Sequence, residues 1–322
     1  MARRALLVGI NNYENVSTLN SCVADVEAMA GILSRHENGD VNFECRPLIA
    51  PGPERITRAT LRRHWTELFQ DFRGDVLFYF SGHGTQTATG GYLVTQEGTL
   101  DDPGLPMDDI VYMANACTAN TVLIVLDCCF SGAAGNPAAL QNGFSEERTL
   151  LREGVTILAA SRSSQVAIES GGQSVFTSLL LGALRGGAAD IRGKVSAAAI
   201  YAYAEAALGS WQQRPLYKSH AARLDPVRLC TPKVTDIELR SLVDYFPRPE
   251  FEYPLDPTFE ETSPAAISAN VTIFKTFKRF QLAGLLTPKV GSDLYWAAER
   301  SFHVVLTELG RFYYQLVRNG RI

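Results

Sequence analysis

Two apolar runs, each followed by a turn that carries a reactive side chain, decide the fold of this 322-residue chain. The runs are DVLFYFSGHG at Asp75–Gly84 and TVLIVLDCCFSG at Thr121–Gly132. A continuous apolar run of this length, ended by a glycine turn, is typical of a strand buried on both faces of a parallel sheet. The two turns therefore place His83 and Cys129 just beyond the ends of two buried strands.

Similar patterns continue in both directions along the chain. Three more strands are predicted at Arg4–Ile10, Phe43–Ile49 and Gly154–Ser161. Helical spacing of apolar residues predicts helices between them, at Cys22–Leu33, after an N-cap at Thr57, from Asp108, at Phe176–Leu184 and at Lys194–Leu208. Strands that alternate with helices predict an α/β fold, with a mostly parallel sheet and helices on both faces. Sites in such sheets gather beyond the carboxyl ends of the strands.

The composition is that of an ordinary globular protein, with 46% hydrophobic and 20% charged residues. The net charge of −4 gives no general attraction to nucleic acid or to an anionic membrane. No apolar run approaches the roughly 18 residues that a membrane span needs. The run Ala5–Ile10 is too short for a signal peptide, so we expect a cytoplasmic protein whose six cysteines, which form no CxxC pair, remain thiols.

His83 and Cys129 together indicate nucleophilic catalysis. Taken singly, a histidine between two glycines suits a turn, and a cysteine at a strand end is commonly an inert buried thiol. The pair, 46 residues apart at one sheet edge, has the groups that acyl transfer needs: a thiolate that attacks and an imidazole that carries its proton. We expect the backbone N–H groups of Gly84 and Cys129 to hold the oxyanion.

Cys128 is the alternative nucleophile. Adjacent residues of a strand point to opposite faces, so only one of the two neighbouring thiols can meet His83. The simpler interpretation of Cys128 is a small side chain that fills the core.

FYFSGHG and DCCFSG resemble the metacaspase and bacterial orthocaspase branch of the caspase superfamily. RRALLVGINNY, LNSCVADVEAM, ITRATLRRHWTEL and SRSSQVAIESGGQSVFTSLLLGAL, followed by QRPLY, are similar to that branch too, so the resemblance covers roughly Arg4–Leu229. It implies a caspase-haemoglobinase fold, a Cys129–His83 dyad and cysteine endopeptidase activity on proteins in bacterial regulated proteolysis, cell death or defence. Phe130 stands where the family usually has histidine, a position outside the dyad.

The resemblance also implies a pocket for a basic substrate side chain, with Asp25 and Asp127 as its acids and with Cys22 and Ser81 lining it. Two converging carboxylates repel each other unless a guanidinium or ammonium group lies between them. Simpler roles are a first-turn acid that favours the helix dipole for Asp25, and a cap of backbone donors for Asp127. The sequence predicts cleavage after Arg or Lys.

Asp108 and Asp109 resemble an acid pair that contributes to calcium binding in some metacaspases. Calcium takes six to eight oxygen ligands, and the acid expected shortly after the nucleophile is missing here, with Asn136 nearby. The start of a helix explains the pair equally well. We therefore expect no required cofactor, with calcium at Asp108 and Asp109 as the alternative.

Residues 1–232 form the predicted peptidase domain, with a large-subunit part at 1–132, a loop at 133–153 and a small-subunit part at 154–232. In this superfamily a cut in that loop commonly activates a zymogen. Arg148 and Arg152, in SEERTLLREG, are the candidate cleavage residues, for the enzyme itself or for an upstream protease. We expect the two fragments to remain associated through the shared sheet.

The remaining chain is predicted to be a linker or arm at 233–264, in which Pro247–Pro264 carries five prolines, and a small winged-helix-like α+β unit at 265–322. That unit is expected to have a helix at Ala265–Leu286, a short strand and a helix beginning at Thr307. The alternative to a peptidase is a catalytically silent scaffold whose C-terminal unit binds a partner protein or DNA. Lys275, Lys278 and Arg279 form one short basic stretch, but the nearly balanced charge of this region favours a protein contact over DNA.

Overall fold

The computed structural model describes residues 2–87, 90–128, 151–160, 172–209, 215–221 and 225–322. The chain divides into two compact units. The first contains Met1–Ala189 and Lys194–Cys230, and the second contains Asp190–Gly193 and Thr231–Ile322.

The strands of the first unit are β1 (Arg3–Ile10), β2 (Glu44–Ala50), β3 (Asp75–Ser81), β4 (Gly84–Thr87), β5 (Gly90–Val94), β6 (Gly104–Pro106), β7 (Thr121–Asp127), β8 (Val155–Ala159), β9 (Lys194–Val195), β10 (Leu216–His220) and β11 (Arg228–Leu229). Within the described residues, six of them form one sheet in the order β10-β8-β7-β3-β1-β2. Neighbouring strands are parallel except β10, which runs antiparallel to β8. The predicted, mostly parallel sheet is confirmed.

Helices cover both faces of this sheet, as predicted. On one face lie α2 (Arg58–Phe69) and α3 (Met107–Ala116). On the other lie α1 (Cys22–Leu33), α4 (Val175–Gly182) and α5 (Ala197–Leu208). All seven residues of β3 are buried, because apolar side chains are required on both faces of a strand that helices cover on both sides.

Three features of the first unit differ from the prediction. Strands β4, β5 and β6 form a small antiparallel sheet that was not predicted, because these strands contain no long apolar run. The edge strand β10 was missed because LYKSH is polar and its alternate residues are exposed. The helix predicted from Lys194 begins at Ala197, because Lys194–Val195 pairs with β11 and the side chain of Ser196 caps the helix.

The second unit has the helices α6 (Asp236–Arg240), α7 (Leu242–Tyr245), α8 (Ser268–Leu282), α9 (Leu294–Glu299) and α10 (Glu308–Arg318), and the strands β12 (Tyr253–Pro254), β13 (Leu286–Pro288) and β14 (His303–Leu306). The strands form an antiparallel sheet in the order β12-β14-β13. The last helix, predicted to begin at Thr307, begins at Glu308, and the Thr307 hydroxyl caps it by accepting the Gly310 N–H at 3.0 Å. The first predicted helix ends at Leu282 rather than Leu286, which belongs to β13.

The segment 233–264, predicted as a linker or arm, does not connect two units as a linker would. These residues belong to the second unit, and Val234, Leu239, Phe246 and Phe259 are buried in its core. The five prolines interrupt any regular period, yet the apolar side chains between them still pack. The second unit therefore includes the whole of 233–264.

Within the ranges that the structure describes, no helix is both long enough and apolar enough to cross a lipid bilayer.

Candidate active site

The central strands β3 and β7 end side by side. Ser81 is in register with Asp127, and the Gly82 N–H donates to the Asp127 carbonyl at 3.3 Å. His83 follows Ser81 by two residues, and Cys129 follows Asp127 by two residues in the sequence. Cys129 and Phe130 lie outside the described residues, so the dyad itself remains a prediction.

His83 is fixed by contacts on its ring and its backbone. Its Nε2 lies 2.8 Å from the Ser17 carbonyl oxygen, its N–H donates to the Tyr13 hydroxyl at 2.8 Å, and the two rings pack with centroids 4.8 Å apart. A carbonyl can only accept, so Nε2 carries a proton and, in the neutral ring, Nδ1 is the basic nitrogen. The ring is therefore held through Nε2, which leaves Nδ1 as the nitrogen that can accept a proton.

Glycine is required at position 82 by the approach of Tyr13. A Cβ atom there would lie 2.6 Å from the Tyr13 hydroxyl and 2.9 Å from the Phe80 ring. Gly84, one of the two predicted oxyanion donors, is buried at the start of β4 and is in register with Leu93. This arrangement places the His83 turn against the β4–β5 hairpin.

The four predicted pocket residues come together in one cluster. Asp25 is fully buried in the first turn of α1, and its Oδ2 accepts the Ser81 hydroxyl at 2.9 Å. Its Oδ1 accepts the Ser174 N–H at 3.0 Å, and Ser174 also donates its hydroxyl to Asp127 Oδ2. Thr177 Oγ1 lies 2.5 Å from that same Asp127 oxygen. We call Cys22, Asp25, Ser81, Asp127, Ser174 and Thr177 the acid cluster.

The electrostatics of the acid cluster disfavour further negative charge. Burial raises the pKa of Cys22 to about 12; a hydrogen bond with Ser81 opposes this, and the charges of Asp25 and Asp127 add to it. Burial also raises the pKa of Asp127, while hydrogen bonds from Ser174 and Thr177 lower it. Cys22 is thus an un-ionised thiol at neutral pH, and a bound cation would relieve the repulsion between the acids.

Cys128, the alternative nucleophile, is 2% exposed and packs in the core on the α2–α3 side of the sheet. Asp127 contacts Ser174 and Thr177 at the start of α4, on the opposite side. The alternation predicted from the sequence therefore holds at this strand end, and Cys128 has the position of a core residue.

The two candidate cleavage residues differ in what the structure shows of them. Arg148 lies outside the described residues. The Arg152 guanidinium donates to the carbonyls of Ala114 and Ala119 at 2.9 and 2.8 Å. The backbone N–H of Arg152 donates to Asn115 Oδ1 at 2.9 Å. Arg152 therefore anchors the chain to the end of α3, as a cation at a helix C-terminus commonly does.

Asp108 and Asp109, the calcium candidates, are in the first turn of α3. Asp109 forms an ion pair with Arg62 of α2. Among the described residues, no group of three or more His, Cys, Asp or Glu side chains is arranged to hold a metal ion. Calcium binding at this pair remains a prediction, with the Asp109 carboxylate already engaged by an arginine.

Sequence reasoning missed four residues that hold the site, namely Tyr13, Ser17, Ser174 and Thr177. Ser174 had a readable signal, since a serine directly before the apolar run VFTSLLL is a typical N-cap. Tyr13 and Ser17 lie in a segment without a periodic pattern, and only the folded structure brings them to His83.

A comparison with family models matches the caspase domain of the C14 peptidases to residues 2–224. The chain belongs to the caspase family, whose members are cysteine-type peptidases. Over 167 residues it is 29% identical to Metacaspase-6 from Arabidopsis thaliana, covering 46% of this chain and 43% of that protein. Over 94 residues it is 39% identical to Metacaspase-5 from Trypanosoma cruzi, covering 26% of this chain and 20% of that one. The caspase-family chain thus spans less than half the length of these metacaspases.

The fold also occurs in a solved structure, that of protein GSU0716 from Geobacter sulfurreducens. The match covers 71% of this caspase-family chain and 100% of that chain, with a TM-score of 0.52 and 16% sequence identity. At that identity the similarity shows a shared fold.

Proposed function

We propose that this protein is a cysteine endopeptidase that cleaves proteins after Arg or Lys, with Cys129 as the nucleophile and His83 as the general base. The observation that carries the proposal is the acid cluster, in which two carboxylates converge at the strand ends that precede His83 and Cys129. The caspase domain supplies the reaction class, and the acid cluster supplies the substrate preference.

The orientation of His83 suits each proton transfer of this reaction. Nδ1 accepts the thiol proton, and the thiolate attacks the substrate carbonyl to form a tetrahedral oxyanion. Collapse breaks the peptide bond, the leaving amine takes the proton from His83, and water hydrolyses the thioester. The Ser17 carbonyl, which accepts the Nε2 proton at 2.8 Å, stabilises the imidazolium between these steps. We expect the oxyanion to be held by the N–H groups of Gly84 and Cys129.

The charge of the acid cluster favours a basic P1 side chain. Its described hydrogen-bond donors are neutral hydroxyl and amide groups from Ser81, Ser174 and Thr177, which orient the carboxylates without cancelling their charge. A guanidinium can bind a carboxylate through two parallel hydrogen bonds, and an ammonium contributes a point charge. An acidic P1 side chain would add a third negative charge.

We further propose that a cut after Arg148 activates the enzyme. The anchoring of Arg152 at α3 makes Arg148 the better cleavage residue, because a substrate arginine must enter the pocket of the enzyme that cuts it. Strand β7 precedes the loop and β8 follows it, and the two are paired in parallel from Val122–Val155 to Leu126–Ala159. This pairing would keep the two fragments together after cleavage.

The dyad is tested with three variants and a peptide library. Cys129→Ala and His83→Ala should each abolish hydrolysis of an arginyl fluorogenic peptide, whereas Cys128→Ala should retain most of it. The library should show Arg and Lys at P1. If Cys128→Ala were inactive and Cys129→Ala active, the nucleophile would be Cys128 and the proposed assignment would be wrong. Asp at P1 would contradict the proposed specificity.

A further inference from the structure

Ser174 contacts both acids of the acid cluster. Its N–H donates to Asp25 Oδ1 at 3.0 Å, and its hydroxyl donates to Asp127 Oδ2. The same hydroxyl oxygen accepts the Thr177 N–H at 3.0 Å as the N-cap of α4. A serine hydroxyl has one proton, so the cap bond from Thr177 leaves that proton for Asp127.

Thr177 completes a chain of hydroxyl groups that ends on the same carboxylate. Thr177 is fully buried, and its Oγ1 lies 2.5 Å from both Asp127 Oδ2 and the Tyr79 hydroxyl. An ionised carboxylate can only accept, so Thr177 donates to Asp127 and Tyr79 donates to Thr177. Tyr79 is suited to that role because burial, with the charges of Asp127 and Asp25, raises its pKa and keeps it protonated.

We propose that Ser174 and Thr177 are positioning residues for basic-residue specificity, which hold the Asp127 carboxylate ionised and oriented for the P1 side chain. This inference rests on the proposed function of the acid cluster. It adds that the specificity of the pocket depends on the start of α4, which follows the 133–153 loop, as well as on the two acids that precede the loop.

The burial of Asp127 explains why the hydroxyl groups are needed. From α1 it faces the carboxylate of Asp25 and the thiol of Cys22, and from β3 it faces the phenol of Tyr79. Burial favours its protonated form, and the two hydroxyl bonds favour its ionised form. Loss of either bond raises the pKa of Asp127. As the pH falls, a variant that lacks the bond would therefore lose its affinity for a cationic side chain at a higher pH than the wild type does.

The test uses hydroxyl-deletion variants of the full chain. Thr177→Val removes the hydroxyl with little change of shape, and Ser174→Gly removes the hydroxyl but retains both the N–H and a good helix N-cap. We expect each to raise KM for an arginyl peptide about tenfold with kcat within about twofold, and to move the acidic limb of kcat/KM up by about one pH unit. Thr177→Ser should restore both values.

Thr156→Val is the matched control, because it removes a buried hydroxyl that contacts Ser219 instead of the acid cluster. It should leave KM and the pH profile unchanged. Thr177→Val and Ser174→Gly variants that melt like the wild type but keep its KM and acidic limb would overturn the proposal.

A second measurement does not depend on peptidase activity. The pKa of Asp127, followed by ¹³C NMR of labelled carboxyl groups and assigned with Asp127→Asn, should be higher in Thr177→Val than in the wild type. An unchanged pKa overturns the positioning role even if arginyl peptides are cleaved. A raised pKa in a protein that cleaves no arginyl or lysyl peptide would support the positioning of Asp127 and reject the proposed substrate class.

Discussion

Two groups of carboxylates, one in each unit of this protein, have different partners. In the first unit, the acids of the acid cluster accept hydrogen bonds from neutral groups, those of Ser81, Ser174 and Thr177. In the second unit, three glutamates each form an ion pair with a basic side chain of α8. These pairs are Lys275–Glu261 at 3.0 Å, Lys278–Glu260 at 3.3 Å and Arg279–Glu238.

The comparison shows what a cluster of charges can recognise. The neutral donors described for the acid cluster orient its carboxylates without cancelling their charge, which supports the proposed preference for a cationic side chain. An ion pair cancels the charge of both partners, so the basic stretch predicted as a phosphate-binding candidate is neutralised within its own unit. The first cluster therefore suits the proposed basic side chain, whereas the basic side chains of α8 are engaged within their own unit.

Neutralising the acid cluster should give the largest effect. Asp127→Asn and Asp25→Asn are each expected to raise KM for arginyl peptides about 100-fold, because each removes one charge that faces the P1 cation. Asp127→Asn should not reduce thermal stability, since burial raises the pKa of Asp127 and the folded state disfavours its ionised form. Enzyme kinetics and thermal melts measure the two quantities.

Asp75→Asn is the control for loss of a buried carboxylate. Asp75 pairs with Arg3 at 3.0 Å, and both side chains are largely buried. Breaking that pair removes the carboxylate that is hydrogen-bonded to a largely buried guanidinium, and should cost about 3 kcal/mol of folding free energy, with KM unchanged in the folded fraction. The opposite result, a stability loss for Asp127→Asn without a KM change, would make the acid cluster a structural feature.

Arg152→Ala should have the next largest effect, on stability. It leaves the carbonyls of Ala114 and Ala119 without the guanidinium donor, and we expect the free energy of unfolding to fall by about 2 kcal/mol. Chemical denaturation measures this value. The loop should still be cut in Arg152→Ala, whereas Arg148→Ala should stay intact; the reverse pattern would identify Arg152 as the cleavage residue.

The sequence predicted those parts of the fold that depend on one regular pattern. The apolar runs of β3 and β7 read as buried strands, and their ends located His83, Asp127 and Cys128. Helix α1 was predicted with its observed bounds, Cys22–Leu33, because apolar residues recur along it at helical spacing.

The parts that were missed depend on contacts between distant residues. The segment 233–264 reads as a linker or arm because its prolines break every period, yet Phe246 and Phe259 are buried in the core of the second unit. Ser17 orients His83 across 66 residues of chain, and Ser174 reaches Asp25 across 149. A pattern in the sequence can place a residue on a strand or a helix, but only the packed structure shows which distant hydroxyl or carbonyl meets it.

The smallest expected effect concerns nucleic acid and the ion pairs of α8. Because Lys275 and Lys278 are paired with Glu261 and Glu260, the wild type should give no mobility shift with duplex DNA at low salt. Glu261 is exposed, and Glu260, although buried, pairs with a half-exposed lysine, so the double variant Glu260→Gln, Glu261→Gln should remain folded while its two lysines are released into solvent. We expect it to gain weak, salt-sensitive DNA binding.

The double variant Asp244→Asn, Glu250→Gln has the same net charge and alters exposed acids outside these pairs, so it should gain none. A shift by the wild type would show that the paired lysines still reach phosphate, and equal gains in both double variants would show that net charge, rather than the pairing in α8, governs the binding.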